Sequence, residues 1–189
     1  MPELLLASTS PARRALMDSL GVSYRAVAPD FAEDHEASKD PVELCRTLAL
    51  GKARAVAAQH PDALVLGADQ VCAFDGACWG KPRDAEEARA QLRRLSGHTH
   101  RLVTGVALIG PGVERQAHDA VALTMYPLTP AELRGYLATG EWEGCAGSYR
   151  VEARGRALFS AIDGDLTSVQ GLPMLLLVRL LREAGVSFF

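Results

Sequence analysis

An aspartate interrupts an apolar run in this chain. In "ALVLGADQV" the carboxylate of Asp69 stands two residues after Gly67, and a charge in such a place is costly unless it is paired, hydrogen-bonded or bound to a metal. An arginine partner or a metal cation would meet that demand. Only three of the twenty Lys and Arg residues are lysines, namely Lys39, Lys52 and Lys81. Arginine is therefore the default cation. A lysine at 52, after Gly51 in a helical pattern, and another at 81, in "WGKPRD", mark places suited to a compact multi-donor charge of the kind phosphates take. Each alone also reads as a solvated surface lysine. Near the start, "LLLASTSPARR" runs from apolar residues into hydroxyls and arginines. Ser10 stands at an N-cap position before Pro11, so the following turn offers unpaired N–H groups at the positive end of a helix. Ser8 and Thr9 add hydroxyls, and Arg13 or Arg14 a planar charged fork: the makings of an anion site, or of an ordinary capped helix. "PDFAEDHE" places Glu33 and Asp34 in a loop. A loop carboxylate facing Asp69 would complete an oxygen-ligand site for magnesium or manganese.

These groups must be held by strands and helices in alternation. "ELLLAS" reads as a strand and "PARRALMDSLG" as a helix with Pro11 at its first position and Gly21 past its end. "SYRAVAP" reads as a strand, "PVELCRTLALGKARAVAAQ" as a long amphipathic helix and "DALVLGADQVCAF" as a largely buried strand. "DAEEARAQLRRLSG" is a helix, while "THRLVTGVALI" and "RQAHDAVALTMYPL" form an antiparallel hairpin across "GPGVE". A helix is expected from Pro130 to about Thr139, one or two strands broken near Gly155 in "YRVEARGRALFSAIDG", and a closing helix in "LPMLLLVRLLREAG". The pattern implies an α/β fold with a sheet of mixed direction and flanking helices.

At 189 residues, 48% of them hydrophobic, the chain is long enough for one domain with a sizeable core, taken here as residues 1–189. Its net charge of -3 argues against a general nucleic-acid surface. No stretch is long and apolar enough for a membrane span or a secretory leader, so a cytoplasmic location is expected. The four cysteines, Cys45, Cys72, Cys78 and Cys145, form no CxxC pair and are expected as reduced thiols. His98 and His100 have alternate-strand spacing without a third ligand nearby, and read as surface strand histidines. Trp79 and Trp142 read as caps on a core edge, with base stacking as the alternative.

The strings "LASTSPARRALM", "APDFAED", "LALGKARAVA", "GADQVC", "GKPRDAEEARAQLRRLSGHTH", "VTGVAL", "GCAGSYRVE" and "VQGLPM", in that order, resemble the Maf-type nucleoside triphosphate pyrophosphatases. The resemblance implies a two-lobed α/β fold around a cleft, of the Maf/ITPase-like kind, that hydrolyses a nucleoside triphosphate to the monophosphate and pyrophosphate with a divalent metal cofactor, Mg2+, Mn2+ or Co2+. It implies Asp69 as catalytic acid-base residue, Ser8, Arg13, Lys52 and Lys81 as phosphate holders, and Glu33 beside Asp69 at the metal. Gln70 after the aspartate and Glu152 in "AGSYRVEARG" resemble the 7-methyl-GTP branch, whose members tend to carry a bulky aromatic where this chain has Ala12. Glutamate is acceptor-only and suits the N1–H and 2-amino donors of guanine, while N7 methylation adds a positive charge that a carboxylate favours. The alternatives are a dTTP/UTP pyrophosphatase of the same family and a non-catalytic nucleotide-binding regulator of septum formation. A nucleotide is the expected partner, without nucleic acid or membrane, in a possible homodimer.

The lysines supply a test. Lys52→Ala and Lys81→Ala should each lower turnover by orders of magnitude in a pyrophosphate-release assay, while Lys39→Ala in "EASKDP" stays near wild type. Equal behaviour of all three would refute the phosphate assignment.

Overall fold

The computed structural model describes residues 2–189. One sheet runs through it in the order β2-β1-β3-β5-β6-β7, with β4 paired to β3. Strand β1 (Leu4–Ala7) is fully buried and lies parallel to both β2 (Arg25–Val27) and β3 (Leu64–Phe74). Every other pairing is antiparallel. Asp75 and Gly76 both adopt positive φ, the conformation a tight hairpin turn requires, and return the chain into β4 (Ala77–Trp79). The β5 (Thr99–Gly110) and β6 (Val113–Met125) hairpin pairs over its whole length, and β7 (Phe159–Asp163) closes the far edge.

The helices begin where the sequence supplies caps. Ser10 accepts from the Arg13 amide ahead of α1 (Pro11–Asp18), Asp40 from Val42 and Glu43 ahead of α2 (Pro41–Ala57), and Asp84 from Glu87 ahead of α3 (Ala85–Leu95). Thr129 and Glu132 form a reciprocal capping box on α4 (Pro130–Leu137). The short α5 (Leu166–Val169) and the closing α6 (Met174–Glu183) complete the set. No helix among the described residues is long and apolar enough to cross a membrane.

Strand alternation sorts the core onto two faces. Leu5, Ala7 and Val65 pack with Ala49, Ala53 and Val56 of α2, and Val71 and Val103 pack with Leu44, Cys45 and Leu48 of the same helix. On the opposite face, Leu66, Ala68, Val106 and Leu108 pack against Leu177 and Leu181 of α6. Further along that face Cys72, Leu102, Val121 and Leu123 pack against α3 and α4.

Two expectations need correction. The stretch "YRVEARGRAL" is not a strand: it turns and then forms a 3-10 helix over Arg154–Leu158, leaving only Phe159–Asp163 extended. The chain folds back around Tyr136, whose hydroxyl accepts from the Arg150 amide at 2.9 Å. A Cβ on Gly155 would lie 2.8 Å from that hydroxyl and 2.4 Å from the Arg150 carbonyl, so the glycine permits the fold-back. His100 is the second. Only His98, ahead of β5, is exposed; His100 faces inward from a central strand at 2% exposure, with Nε2 2.6 Å from the Tyr149 hydroxyl. Trp79 packs edge-on against Phe74 beneath Arg94, and Trp142 donates to the Leu137 carbonyl.

Burial pushes the His100 pKa down to about 4, and its Nδ1 has no partner among the described residues. An unfolded imidazole titrates near 6.5, so the unfolded chain takes the proton first and stability falls as pH drops. The loss starts below about 6.5 and is complete near 4, on the order of 3 kcal/mol. Denaturant titrations of His100→Gln across this window should show a flatter pH dependence than wild type. Parallel curves would show that His100 does not carry the acid sensitivity.

Candidate active site

The site begins with two glycines on the face that meets α2. A Cβ on Gly67 would lie 2.2 Å from the Ala49 carbonyl oxygen and 2.9 Å from the Ala53 Cβ, and one on Gly105 would lie 2.5 Å from the Cys45 carbonyl. Only glycine lets the helix backbone come this close. Asp69 is paired in register with Gly105 and shares the face of Gly67. The buried Lys52 of α2 therefore reaches it directly, Nζ to Oδ1 at 2.6 Å. The second carboxylate oxygen, Oδ2, is buried with no hydrogen-bond partner among the described residues.

Glu33 arrives by the same device. The Phe31 ring lies over Gly51, where a Cβ would come within 2.2 Å of it, and two residues on Glu33 meets Lys52 at 2.9 Å. Its other oxygen lies 3.3 Å from His35 Nε2. Burial raises the Glu33 pKa, but the hydrogen bond and charge of Lys52, aided by His35 and Lys81, outweigh it and hold the carboxyl below its ordinary value. One ammonium thus serves two carboxylates.

Arg13 comes from the first turn of α1. Its Nε donates to the Gly171 carbonyl at 2.8 Å, and a guanidinium so held has terminal nitrogens to offer an anion. Burial lowers its pKa while the charges of Asp69 and Glu33 oppose the shift; a guanidinium stays protonated regardless. Ser8 Oγ accepts from the Ser10 amide at 3.2 Å, which leaves its own O–H proton to donate. Lys81 stands exposed after β4.

The opposite wall is the loop before Tyr149. Gly147 and Ser148 are consecutive positive-φ residues, and the Ser148 hydroxyl donates to Gln91 of α3 at 2.6 Å. Glu152 lies beyond, 3.7 Å from Arg150 and more open to solvent than a buried base contact requires. Gln70 points to the other face of β3 from Asp69. Its Nε2 donates to the Ser168 carbonyl at 2.7 Å and to Thr104 at 2.9 Å, so its amide donors are spent within the protein.

The charged and polar groups named by the sequence line one cleft of about 640 Å³. Ser8, Ala12 and Arg13 lie on it with Glu33, Lys52 and Asp69, and Gln70, Lys81 and Glu152 complete the set that the sequence singles out. Sequence reasoning missed Tyr149 and Arg150 on the wall, because their segment was read as strand, and Glu143, which lies in an acidic loop with nothing to set it apart. A more open groove of about 650 Å³ near Phe74 is as large, but its Arg94 already sits against Asp75 and Trp79. Converging charge, not volume, marks the site. Cys145, also on the cleft, has its thiol pKa raised by burial, so no thiolate is poised there.

No group of three or more His, Cys, Asp and Glu side chains among the described residues could hold a metal unaided. The unpartnered Oδ2 of Asp69, with Glu33 across Lys52, fits a hard divalent ion that takes its remaining oxygens from water and phosphate.

A family model described as Maf-like protein matches residues 3–184. The chain is 44% identical over 188 residues to a dTTP/UTP pyrophosphatase of Deinococcus radiodurans, covering 100% of this chain and 96% of that protein. It is 45% identical over 189 residues to a 7-methyl-GTP pyrophosphatase of Xanthomonas campestris pv. campestris, covering 99% and 98%. Among solved structures, the Staphylococcus aureus Ham1 protein superposes with a TM-score of 0.50 at 15% identity, over 66% of this chain and 72% of that one. That likeness is one of fold.

The buried ion pair can be tested without any substrate. Lys52→Met leaves the buried Asp69 carboxyl without its partner and should cost roughly 3 kcal/mol in urea unfolding. Adding Asp69→Asn should return much of that loss. Strictly additive costs would show that the two side chains are not coupled.

Proposed function

The chain belongs to the Maf-like proteins, and from that premise we propose that it hydrolyses a nucleoside triphosphate to the monophosphate and pyrophosphate. The observation that carries this reading is a buried carboxylate with one free oxygen, Asp69 Oδ2, on a cleft that also presents Arg13, Lys52 and Lys81. Binding alone has no use for a carboxylate beside a triphosphate.

In this reading the phosphate chain lies along the first turn of α1. The O–H of Ser8 and the fork of Arg13 hold it, and the lysines neutralise the charge that spreads over the phosphates as the bond to the α-phosphorus breaks. Lys52 does a second job at Oδ1: it fixes the orientation of Asp69, leaving Oδ2 to orient a water for attack and take its proton. A divalent ion, which Asp69 and Glu33 would hold, supplies further charge neutralisation and a lower water pKa. Cleavage at the α-phosphorus releases pyrophosphate as a unit.

For the base, the reading is 7-methyl-GTP. Support comes from Glu152, an acceptor-only side chain on the cleft wall, which matches adjacent N–H donors and the cationic methylated ring. Gln70 has no free amide donor to give a pyrimidine carbonyl. Ala12 departs from the bulky aromatic that members of the 7-methyl-GTP branch tend to carry, and offers the base no stacking surface. The competing reading, dTTP and UTP, is favoured by the relatives named for that activity.

Pyrophosphate release measured over 7-methyl-GTP, GTP, dTTP and UTP with magnesium or manganese should be fastest for the methylated purine. Asp69→Asn should abolish it, and Glu152→Gln should lower kcat/KM for 7-methyl-GTP by about tenfold, the modest size reflecting the exposed position. Thymidine and uridine triphosphates should lose less. Undiminished release by Asp69→Asn would refute the catalytic role, and a wild-type preference for pyrimidines would refute the base assignment.

A further inference from the structure

Asp119 stands on β6, with no place in the cleft. It completes a row across three strands, because Gln70 pairs with Thr104 and Thr104 with Asp119. All three side chains converge on one residue of α5. The Ser168 hydroxyl donates to Asp119 Oδ2, and the Ser168 carbonyl accepts from Gln70 Nε2 at 2.7 Å and from Thr104 Oγ1 at 3.0 Å. Ser168 and Thr104 are completely buried. A buried hydroxyl that loses its only acceptor carries the full desolvation cost, so Asp119 decides whether this serine stays where it is.

From Ser168 the linkage runs to the substrate side in two steps. Its carbonyl also accepts from the Gly171 amide at 3.0 Å, which sets the turn leaving α5. Gly171 has φ +101°, a Cβ there would lie 3.3 Å from Arg13 Nε, and its carbonyl takes the Arg13 Nε–H at 2.8 Å. That bond is the only one Arg13's side chain makes among the described residues, and in a planar guanidinium one fixed N–H fixes the directions of the others.

We propose that Asp119 is a positioning residue for Arg13, acting through Ser168 and Gly171 to aim the guanidinium at the phosphates. The proposal rests on the phosphate-binding reading of the cleft. The row of polar side chains on the sheet is thus a mount for a phosphate-binding arginine, and the carboxylate at its far end is the part no cleft contact explains.

The test uses two readouts, one of which needs no turnover. In 15N spectra the Arg13 Nε–H is expected to be protected from exchange in the wild type and to exchange at least about tenfold faster in Asp119→Ala. Binding of inorganic pyrophosphate by calorimetry should weaken by about tenfold in the same variant. Asp119→Asn, which keeps an acceptor for the Ser168 hydroxyl, should restore both to within about twofold of wild type. In an Arg13→Ala background the Asp119→Ala change should weaken pyrophosphate binding no further. An undiminished Asp119→Ala penalty in that background, or unchanged Arg13 exchange, overturns the proposal. If wild type binds no pyrophosphate, the phosphate reading fails, while the exchange measurement still decides the link from Asp119 to Arg13. Should Asp119→Ala fail to fold, Ser168→Ala breaks the same bond from its other end and carries the same expectations.

Discussion

The site depends on how near a helix can come to a sheet. Side chains ordinarily hold a helix off a sheet, and a lysine on the helix then extends past the strands to water. Where Gly67 and Gly105 lie side by side with Asp69, the backbone of α2 settles onto the strands, with the carbonyls of Cys45 and Ala49 over the missing Cβ positions. Lys52 is then inside the fold, not over it, and is 7% exposed. Its pairing with Asp69 follows from that geometry, because an enclosed ammonium needs a partner of opposite charge. Glu33, the hold on Oδ1 and the free Oδ2 are all downstream of this contact.

The sheet crosses this region with its two faces doing different work. At Asp69 and Gly105 the face toward α2 is polar or empty, and one residue further on Gln70 and Thr104 make the opposite face polar as well. Hydrophobic clusters lie on both sides of this band: Leu66, Val106 and Leu108 with α6 on one side, Leu102, Val121 and Leu123 with α3 and α4 on the other. A continuous core across that line would have no room for a cleft. The polar band is satisfied by α5 and by Lys52, so the interruption costs little in unpaired groups, apart from Asp69 Oδ2.

Much of this was legible in the chain. The cap Ser10 ahead of Pro11 announces the first helix, apolar periodicity announces the next two, and strand alternation announces the hairpin, because these signals are local. The odd carboxylate in an apolar run and the scarce lysines point to the site, since charges in such places need a reason. His100 misled because a histidine in an alternating strand reads the same whether the neighbouring surface is water or Tyr149 and Phe159. The stretch from Tyr149 to Leu158 misled for a related reason: its fold-back is set by Tyr136 and Glu141, contacts that lie at least 14 residues away in sequence and leave no periodic mark. Asp119 gave no signal at all, as its partner is 49 residues distant.

The strand pairings of this sheet differ widely in their range along the sequence. Leu4 pairs with Leu64 and Ala7 with Gly67, whereas β5 and β6 are consecutive and closed by a short turn. Closing a loop of some sixty residues is entropically costly and slow compared with zipping a hairpin. The long hairpin and β3 therefore have the means to assemble early, and β1 must wait for β3 before it can take its place between β2 and β3. The turn carrying Ser8 and the arginine behind it come into place with that strand. By the same argument the cleft lined by these residues is completed only once the longest-range pairing of the sheet has formed.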